Sequence, residues 1–404
     1  MRSSGHTRRF AGSRSGRSTS VRGVPLSPTL RSQEMYPFVR LNEAAAERRA
    51  AGHDVVDFGM GDPREPTDPA ILQALRDGVR ERMGYPASAG LPELRDAIAA
   101  WVGRRFDVTL DPDRHVIPTL GSKEAIYSFA QVVLDRDGRD TVVVTEPGYP
   151  VPGRGAAFAG ARVVELPLLE ENGFLPAIDE VGDDVWDRAS LVWLNTPNNP
   201  TGAVAPRDFL VRLAGLARAH DFVLASDEAY SELWFDEPPP SALELDDWTN
   251  VVVFNTLSKR SSMTGFRSGF VAGDPELITA LRRFRPNVGT APQEFVQRAS
   301  VVAWGDEEHV NRMREAYARK RALLLDVLLR KGLRDAGGSS TMYLWIGVPD
   351  GETSEAHAER LLQHGIVVAP GCYLGPSGEG YVRYALVPTE DECRQAVAML
   401  DDAL

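Results

Sequence analysis

The spacing of hydrophobic positions along this chain changes several times, and the changes divide it into elements. "LNEAAAERRAAG" (41–52) carries its apolar residues at helical spacing and stops at a glycine, and "PELRDAIAAWVGRRF" (92–106) repeats the pattern with a proline at its start. Both predict helices. Short, nearly continuous apolar runs follow: "TVVVT" (141–145), "ARVVEL" (161–166), "SLVWLN" (190–195), "FVLASD" (222–227), "VVVFN" (251–255) and "GFVAG" (269–273). Valine and leucine runs without polar alternation predict strands covered on both faces of a mostly parallel sheet. A helical pattern at 206–219 separates two of them, as a crossover connection requires.

Beyond residue 275 the order loosens. A long helix is predicted over 306–331, then a strand in "TMYLWIGV" (341–348), a helix near 354–364, a strand in "YVRYAL" (381–386) and a last helix near 389–402. This mixture predicts a smaller α+β domain. The expected organisation is a basic tail at 1–34, a segment at 35–65 that packs with the small domain and makes it discontinuous, a large domain at 66–290 and the small domain at 291–404.

Composition changes this picture at one end. The first 34 residues hold seven arginines and one acid, Glu34, and so carry +6, which leaves the rest of the chain at −18 against −12 for the whole. An arginine- and serine-rich start without an apolar core is either a transit-type segment or a disordered tail before a true start at Met35. The remaining acidity excludes a nucleic-acid surface, and no apolar run is long enough to span a membrane. Two cysteines, Cys372 and Cys393, make neither a disulfide framework nor a metal cluster, which suits the cytoplasm.

Three predicted strands end in unusual loops. "NTPNNPTG" (195–202) is a rigid turn able to hold an amide toward a ligand. "SDEAY" (226–230) places a carboxylate at a strand end, where burial is costly without a positive partner. "NTLSKRSSMTGFRSGF" (255–270) places Lys259 on the third. A lone lysine in a loop is ordinarily solvated, but the carboxyl ends of neighbouring parallel strands share one crevice. Asn199, Asp227, Tyr230 and Lys259 are therefore expected to converge. An amine, a buried carboxylate, a phenol and an amide together suit pyridoxal phosphate, whose phosphate needs a helix N-terminus such as "TLGSKEAI" (119–126) provides at Gly121 and Ser122.

These residues carry a family resemblance. From Met35 onward the chain resembles the class I/II aminotransferases of pyridoxal-phosphate fold type I, the aspartate aminotransferase-like fold; "NNPTG", "SDEAY", "TLSK" and the interval from Lys259 to Arg267 match in order. The resemblance implies that Lys259 forms the Schiff base and carries the transferred proton, and that Asp227 partners the pyridine nitrogen. It also implies that Asn199 and Tyr230 hold the phenolate oxygen and that Ser122, Lys123, Thr256, Ser258 and Arg267 surround the phosphate. By the same likeness Tyr149 in "EPGYP" stacks on the ring, Arg383 in "YVRYAL" clamps the substrate α-carboxylate, and Gly61 in "GMGDP" admits substrate close to the backbone. Tyr85 would reach the phosphate of a second subunit, making a homodimer with shared sites. "LVWLNTPNNPTG", "LSKRSSMTGFRSGFVAGDP" and "VAPGCYLGPSGEGYVR" are most similar to actinobacterial-type succinyldiaminopimelate aminotransferases of lysine biosynthesis. Ala229 departs from the cysteine expected in "SDECY". Arg282 and Arg285 are candidates for a substrate side-chain carboxylate contact supplied from the second subunit, with exposed helical arginines the ordinary alternative. Another aminotransferase, for aspartate, LL-diaminopimelate or an aromatic substrate, and a β-lyase using the same lysine and aspartate, stay open at this level. No metal is expected.

Overall fold

The computed structural model describes residues 24–33, 38–288 and 291–404. The chain forms two units, one ending at Tyr36 and one running from Pro37 to Leu404. In the first, Pro28–Ser32 make a single helical turn whose Leu30 N–H is capped by the Ser27 hydroxyl at 3.2 Å. The tail at 1–34 otherwise lies outside the described residues.

The second unit is built on a seven-stranded sheet. Its strands in chain order are β1 (Val116–Thr119), β2 (Thr141–Glu146), β3 (Arg162–Pro167), β4 (Ala189–Asn195), β5 (Val223–Asp227), β6 (Val251–Thr256) and β7 (Gly269–Gly273). Their spatial order is β1-β7-β6-β5-β4-β2-β3, and β7 runs antiparallel to both neighbours while the other pairs are parallel. Successive residues alternate between two cores, as strand geometry demands. Val143, Val192, Leu194, Leu224, Val251 and Val253 face one core, while Val142, Leu191, Trp193, Val223, Val252 and Phe254 face the other. The run at 161–166 departs from the expectation of double coverage. β3 is an edge strand with half-buried and exposed side chains, since it pairs on one side alone in this chain.

The helix Glu294–Gly305 also departs from its expected place. It packs on the helices Pro69–Gly78 and Pro92–Phe106, and Ala299, Ala303 and Trp304 join the core beneath the large sheet. Trp304 stands 4.6 Å from Trp101 and 5.3 Å from Phe270, centroid to centroid. The large body therefore extends past residue 290, because this apolar face finds its partner there.

A further core gathers the helices Glu308–Arg330 and Glu390–Ala403 around the antiparallel pair β8 (Tyr343–Gly347) and β9 (Tyr381–Ala385). The N-terminal segment meets it: Val56–Asp57 pairs in parallel with Ile366–Val367, and Phe58 enters this core. Arg48, on the helix Phe38–Ala50, donates to the Gln363 carbonyl at 2.8 Å.

Candidate active site

β4, β5 and β6 end side by side, and their final residues are cross-tied. Asn195 Nδ2 donates to the Asp227 carbonyl at 2.9 Å, while its Oδ1 accepts the Asn199 N–H at 2.7 Å. This tie brings the asparagine turn against the end of β5. Asp227 lines a pocket with Tyr149, Trp193 and Asn195. Its carboxylate accepts the Ala229 N–H at 3.3 Å, and burial pushes its pKa up to about 7, against the pull of that N–H and of Lys259. A buried carboxylate so poised calls for a cationic hydrogen-bond donor.

Thr256 ends β6 and caps the short helix Leu257–Arg260, on whose first turn Lys259 stands. The Lys259 side chain is partly buried and its amine donates to the Gly61 carbonyl. It lies 6.0 Å from the centre of the Tyr230 ring. Burial lowers its pKa, opposed by the neighbouring Tyr343 and Asp62 side chains. A shielded amine of this kind loses its proton readily, as a nucleophile or base must.

Beside Lys259 the backbone is drawn into a cradle. Gly121 (φ 72°) precedes the helix Ser122–Val133, and a Cβ there would lie 2.6 Å from the Arg267 guanidinium. Arg267 itself adopts φ 57° and donates to the Thr264 carbonyl at 2.7 Å. At Gly269 a Cβ would meet the Asn255 carbonyl at 2.5 Å and the Ser122 nitrogen at 3.0 Å. Thr256 Oγ1 accepts the Ser258 N–H at 3.2 Å and lies 3.0 Å from the Ser258 hydroxyl. Glycines that let a guanidinium close on a helix N-terminus form an anion cradle.

Arg383 enters from β9. It is buried, donates through Nη1 to Asn199 Oδ1 and through Nη2 to the Gly59 carbonyl, both at 2.8 Å, and lies 4.5 Å over the Tyr343 ring. Pairwise contacts link these residues: Lys259 with Gly61 and Tyr230, Arg383 with Asn199, Arg267 with Gly121, and Thr256 with Ser258, while Asp227 and Tyr149 line one pocket. Lys123 is exposed in the first helical turn, and Tyr85 is fully exposed at 102%. Arg285 does not follow either expectation for it. It is buried, 1% exposed, and ion-paired to Glu124 at 2.9 Å. Arg282 donates to the Val116 carbonyl at 3.2 Å.

Tyr343 is the residue that sequence reasoning passed over. In register Tyr343 faces Ala385 and Trp345 faces Arg383, so Tyr343 and Arg383 are diagonal neighbours on one sheet face. "TMYLWIGV" alone holds no sign of that pairing.

A lysine beside a buried carboxylate, a phenol and an anion cradle, at the carboxyl ends of a mostly parallel sheet, defines a pyridoxal-phosphate enzyme of fold type I. The chain belongs to the class I and II aminotransferases: residues 53–400 match that family. It is 38% identical over 385 residues to LL-diaminopimelate aminotransferase of Dehalococcoides mccartyi, covering 93% of this chain and 98% of that one. It is 40% identical over 362 residues to the enzyme of the same name from Aquifex aeolicus, covering 88% and 93%. Among solved structures, an aspartate aminotransferase double mutant of Thermus thermophilus superposes with a TM-score of 0.87 at 32% identity, over 94% of this chain and all of that one. A probable N-succinyldiaminopimelate aminotransferase from the same organism gives 0.84 at 32% identity, over 91% and 100%. The protein is a pyridoxal-phosphate-dependent transaminase. Among the described residues no helix is long and apolar enough to cross a membrane, and no group of side chains suits a metal ion.

Proposed function

We propose that the protein moves an amino group between a diaminopimelate-type amino acid and 2-oxoglutarate, with glutamate the physiological donor, in lysine and diaminopimelate biosynthesis in the cytoplasm. The curated relatives favour unsubstituted LL-diaminopimelate. The sequence likeness to succinyldiaminopimelate enzymes and the Thermus structure favour the N-succinylated form as a second reading.

The observation that carries the reading is the buried Arg383 guanidinium held by Asn199, whose N–H is tied through Asn195 to the Asp227 backbone, and by the Gly59 carbonyl two residues from the Gly61 carbonyl that takes the Lys259 amine. Bound pyridoxal phosphate supplies an electron sink for charge developing at the substrate α-carbon. Lys259 anchors the cofactor and carries the proton. Asp227 keeps the ring nitrogen protonated, and Asn199 and Tyr230 hold the ring oxygen. Tyr149 flanks the ring. Gly121, Ser122, Thr256, Ser258 and Arg267 hold the phosphate, joined by Tyr85 of the second subunit in a homodimer. Arg383 takes the α-carboxylate as a bidentate fork, and Gly61 leaves room beside it. Lys123, exposed in the first turn of the helix that begins at Ser122, joins the residues at the phosphate.

The test is a panel of amino donors with 2-oxoglutarate. LL-Diaminopimelate or its N-succinyl derivative is expected to exceed aspartate in kcat/KM by about a hundredfold, the selectivity that extra polar contacts provide. If aspartate is the better substrate, the pathway assignment fails and a general aminotransferase replaces it. Lys123→Ala is expected to weaken binding of pyridoxal phosphate to the apoprotein by about threefold or more, and an unchanged affinity takes Lys123 out of the phosphate site.

A further inference from the structure

We propose that Tyr343 is a positioning residue with two separable parts: its hydroxyl sets the donor strength of Tyr230, and its ring braces Arg383. The inference rests on the roles of Tyr230 and Arg383 proposed above.

The geometry is unusually constrained. Tyr343 is 4% exposed on β8. Its hydroxyl lies 2.9 Å from the Tyr230 hydroxyl, and the two rings meet edge to face at 5.5 Å. On its other side it abuts Gly61, where a Cβ would fall 2.1 Å from the Tyr343 oxygen. The same Gly61 accepts the Lys259 amine on its carbonyl. Above the ring lies the Arg383 guanidinium at 4.5 Å, within cation–π range. One side chain therefore touches the phenol, the backbone and the guanidinium that define the crevice.

The direction of the hydroxyl contact follows from proton counting. Two hydroxyls share one hydrogen bond, and either can donate. Were Tyr230 to donate its hydrogen bond to the ring oxygen of a bound cofactor, Tyr343 would be the donor to Tyr230. A phenol that accepts one hydrogen bond donates a stronger one, since such chains polarise cooperatively. Tyr343 thus favours the state of the cofactor with more negative charge on its ring oxygen. In that state the Lys259 nitrogen would hold its proton less tightly.

The ring acts on substrate instead. Arg383 is fixed through Asn199 Oδ1 and the Gly59 carbonyl, and the Tyr343 face closes the side beneath the guanidinium. Removing the ring frees the fork to tilt away from the plane that a carboxylate requires.

Two variants separate the parts. In Tyr343→Phe the ring stays; the pH midpoint of the bound cofactor's visible absorbance is expected to rise by about half a unit or more, the scale of one modest hydrogen bond. KM for amino acids should stay within about twofold. In Tyr343→Leu the ring is lost, and KM should rise about tenfold for every amino acid tested, whatever its side chain. Gly61→Ala supplies a check that does not depend on activity. It should weaken binding of pyridoxal phosphate to the apoprotein, and adding Tyr343→Phe should restore part of it by removing the colliding oxygen. An unmoved midpoint in Tyr343→Phe, an unchanged KM in Tyr343→Leu, or no restoration in the double variant overturns the proposal. Arg383→Ala is run alongside: if it leaves KM unchanged, the reading of Arg383 fails rather than that of Tyr343.

Discussion

Asp227 and Glu228 sit next to each other at the end of β5, and both are pushed up to about 7 by burial. Their circumstances differ. Glu228 accepts the Ser226 hydroxyl and the Ala242 N–H, each at 2.9 Å, within the protein. Asp227 faces the pocket. For a carboxyl group raised in the folded state, the folded protein holds a proton that the unfolded chain has released. Stability is then present below the folded pKa and falls as pH rises between about 4 and 7. Apoprotein should accordingly lose stability from about pH 5 to pH 8, and Asp227→Asn should remove about 3 kcal/mol of that loss. Urea unfolding of both apoproteins at the two pH values measures it, and an equal loss in the variant would contradict the burial account. The same variant should bind pyridoxal phosphate yet lose activity by several orders of magnitude, more than ~4 kcal/mol of barrier, since a neutral amide cannot hold the ring nitrogen protonated.

At the scale of elements, the site depends on how closely backbone segments approach. The antiparallel β7 brings Gly269 against the end of β6 and the start of the helix Ser122–Val133, leaving no space for a methyl group. Gly269→Ala is expected to weaken cofactor binding at least about tenfold by displacing the Ser122 N–H. Titration of the apoprotein with pyridoxal phosphate reads this directly, and unchanged affinity would show that the cradle tolerates the shift. Arg285 is tied to the same helix through its pair with Glu124. Losing the buried guanidinium leaves a void and a Glu124 carboxylate that still reaches solvent, so Arg285→Ala should cost about 2 kcal/mol of stability with KM for dicarboxylic substrates unchanged. A raised KM at full stability would instead return Arg285 to the substrate.

At the scale of the whole molecule, Tyr85 stands out. It is fully exposed in the single chain, with Met60 and Met83 also exposed, so its removal should not loosen the fold of that chain. If Tyr85 serves the second subunit, Tyr85→Ala and Lys259→Ala should each be strongly impaired alone. Refolding the two together then creates dimers with one fully equipped site, and part of the wild-type rate returns. Mixing that restores nothing would place Tyr85 in its own chain's site or outside any site.

What the sequence determined by itself was local. Apolar runs located six of the seven strands of the large sheet to within a residue or two, since period and strand length survive without tertiary context: "VVVFN" and "GFVAG" became Val251–Thr256 and Gly269–Gly273. The short edge strand Val116–Thr119 carried no such run. Ordered motifs at strand ends marked Asn199, Asp227 and Lys259, because each needs a residue type that is costly to bury without a partner. The tertiary structure decided what depends on neighbours distant in the chain. The helix Glu294–Gly305 went to the large body because Trp101 and Phe270 offered Trp304 a packed site. Arg285 was withdrawn to Glu124, a partner 161 residues away. Tyr343 acquired its place from antiparallel register with the strand of Arg383 and from the absent side chain at Gly61. Hydrophobic period is a property of the chain, whereas pairing, burial and the pKa shifts that follow from burial belong to the folded molecule.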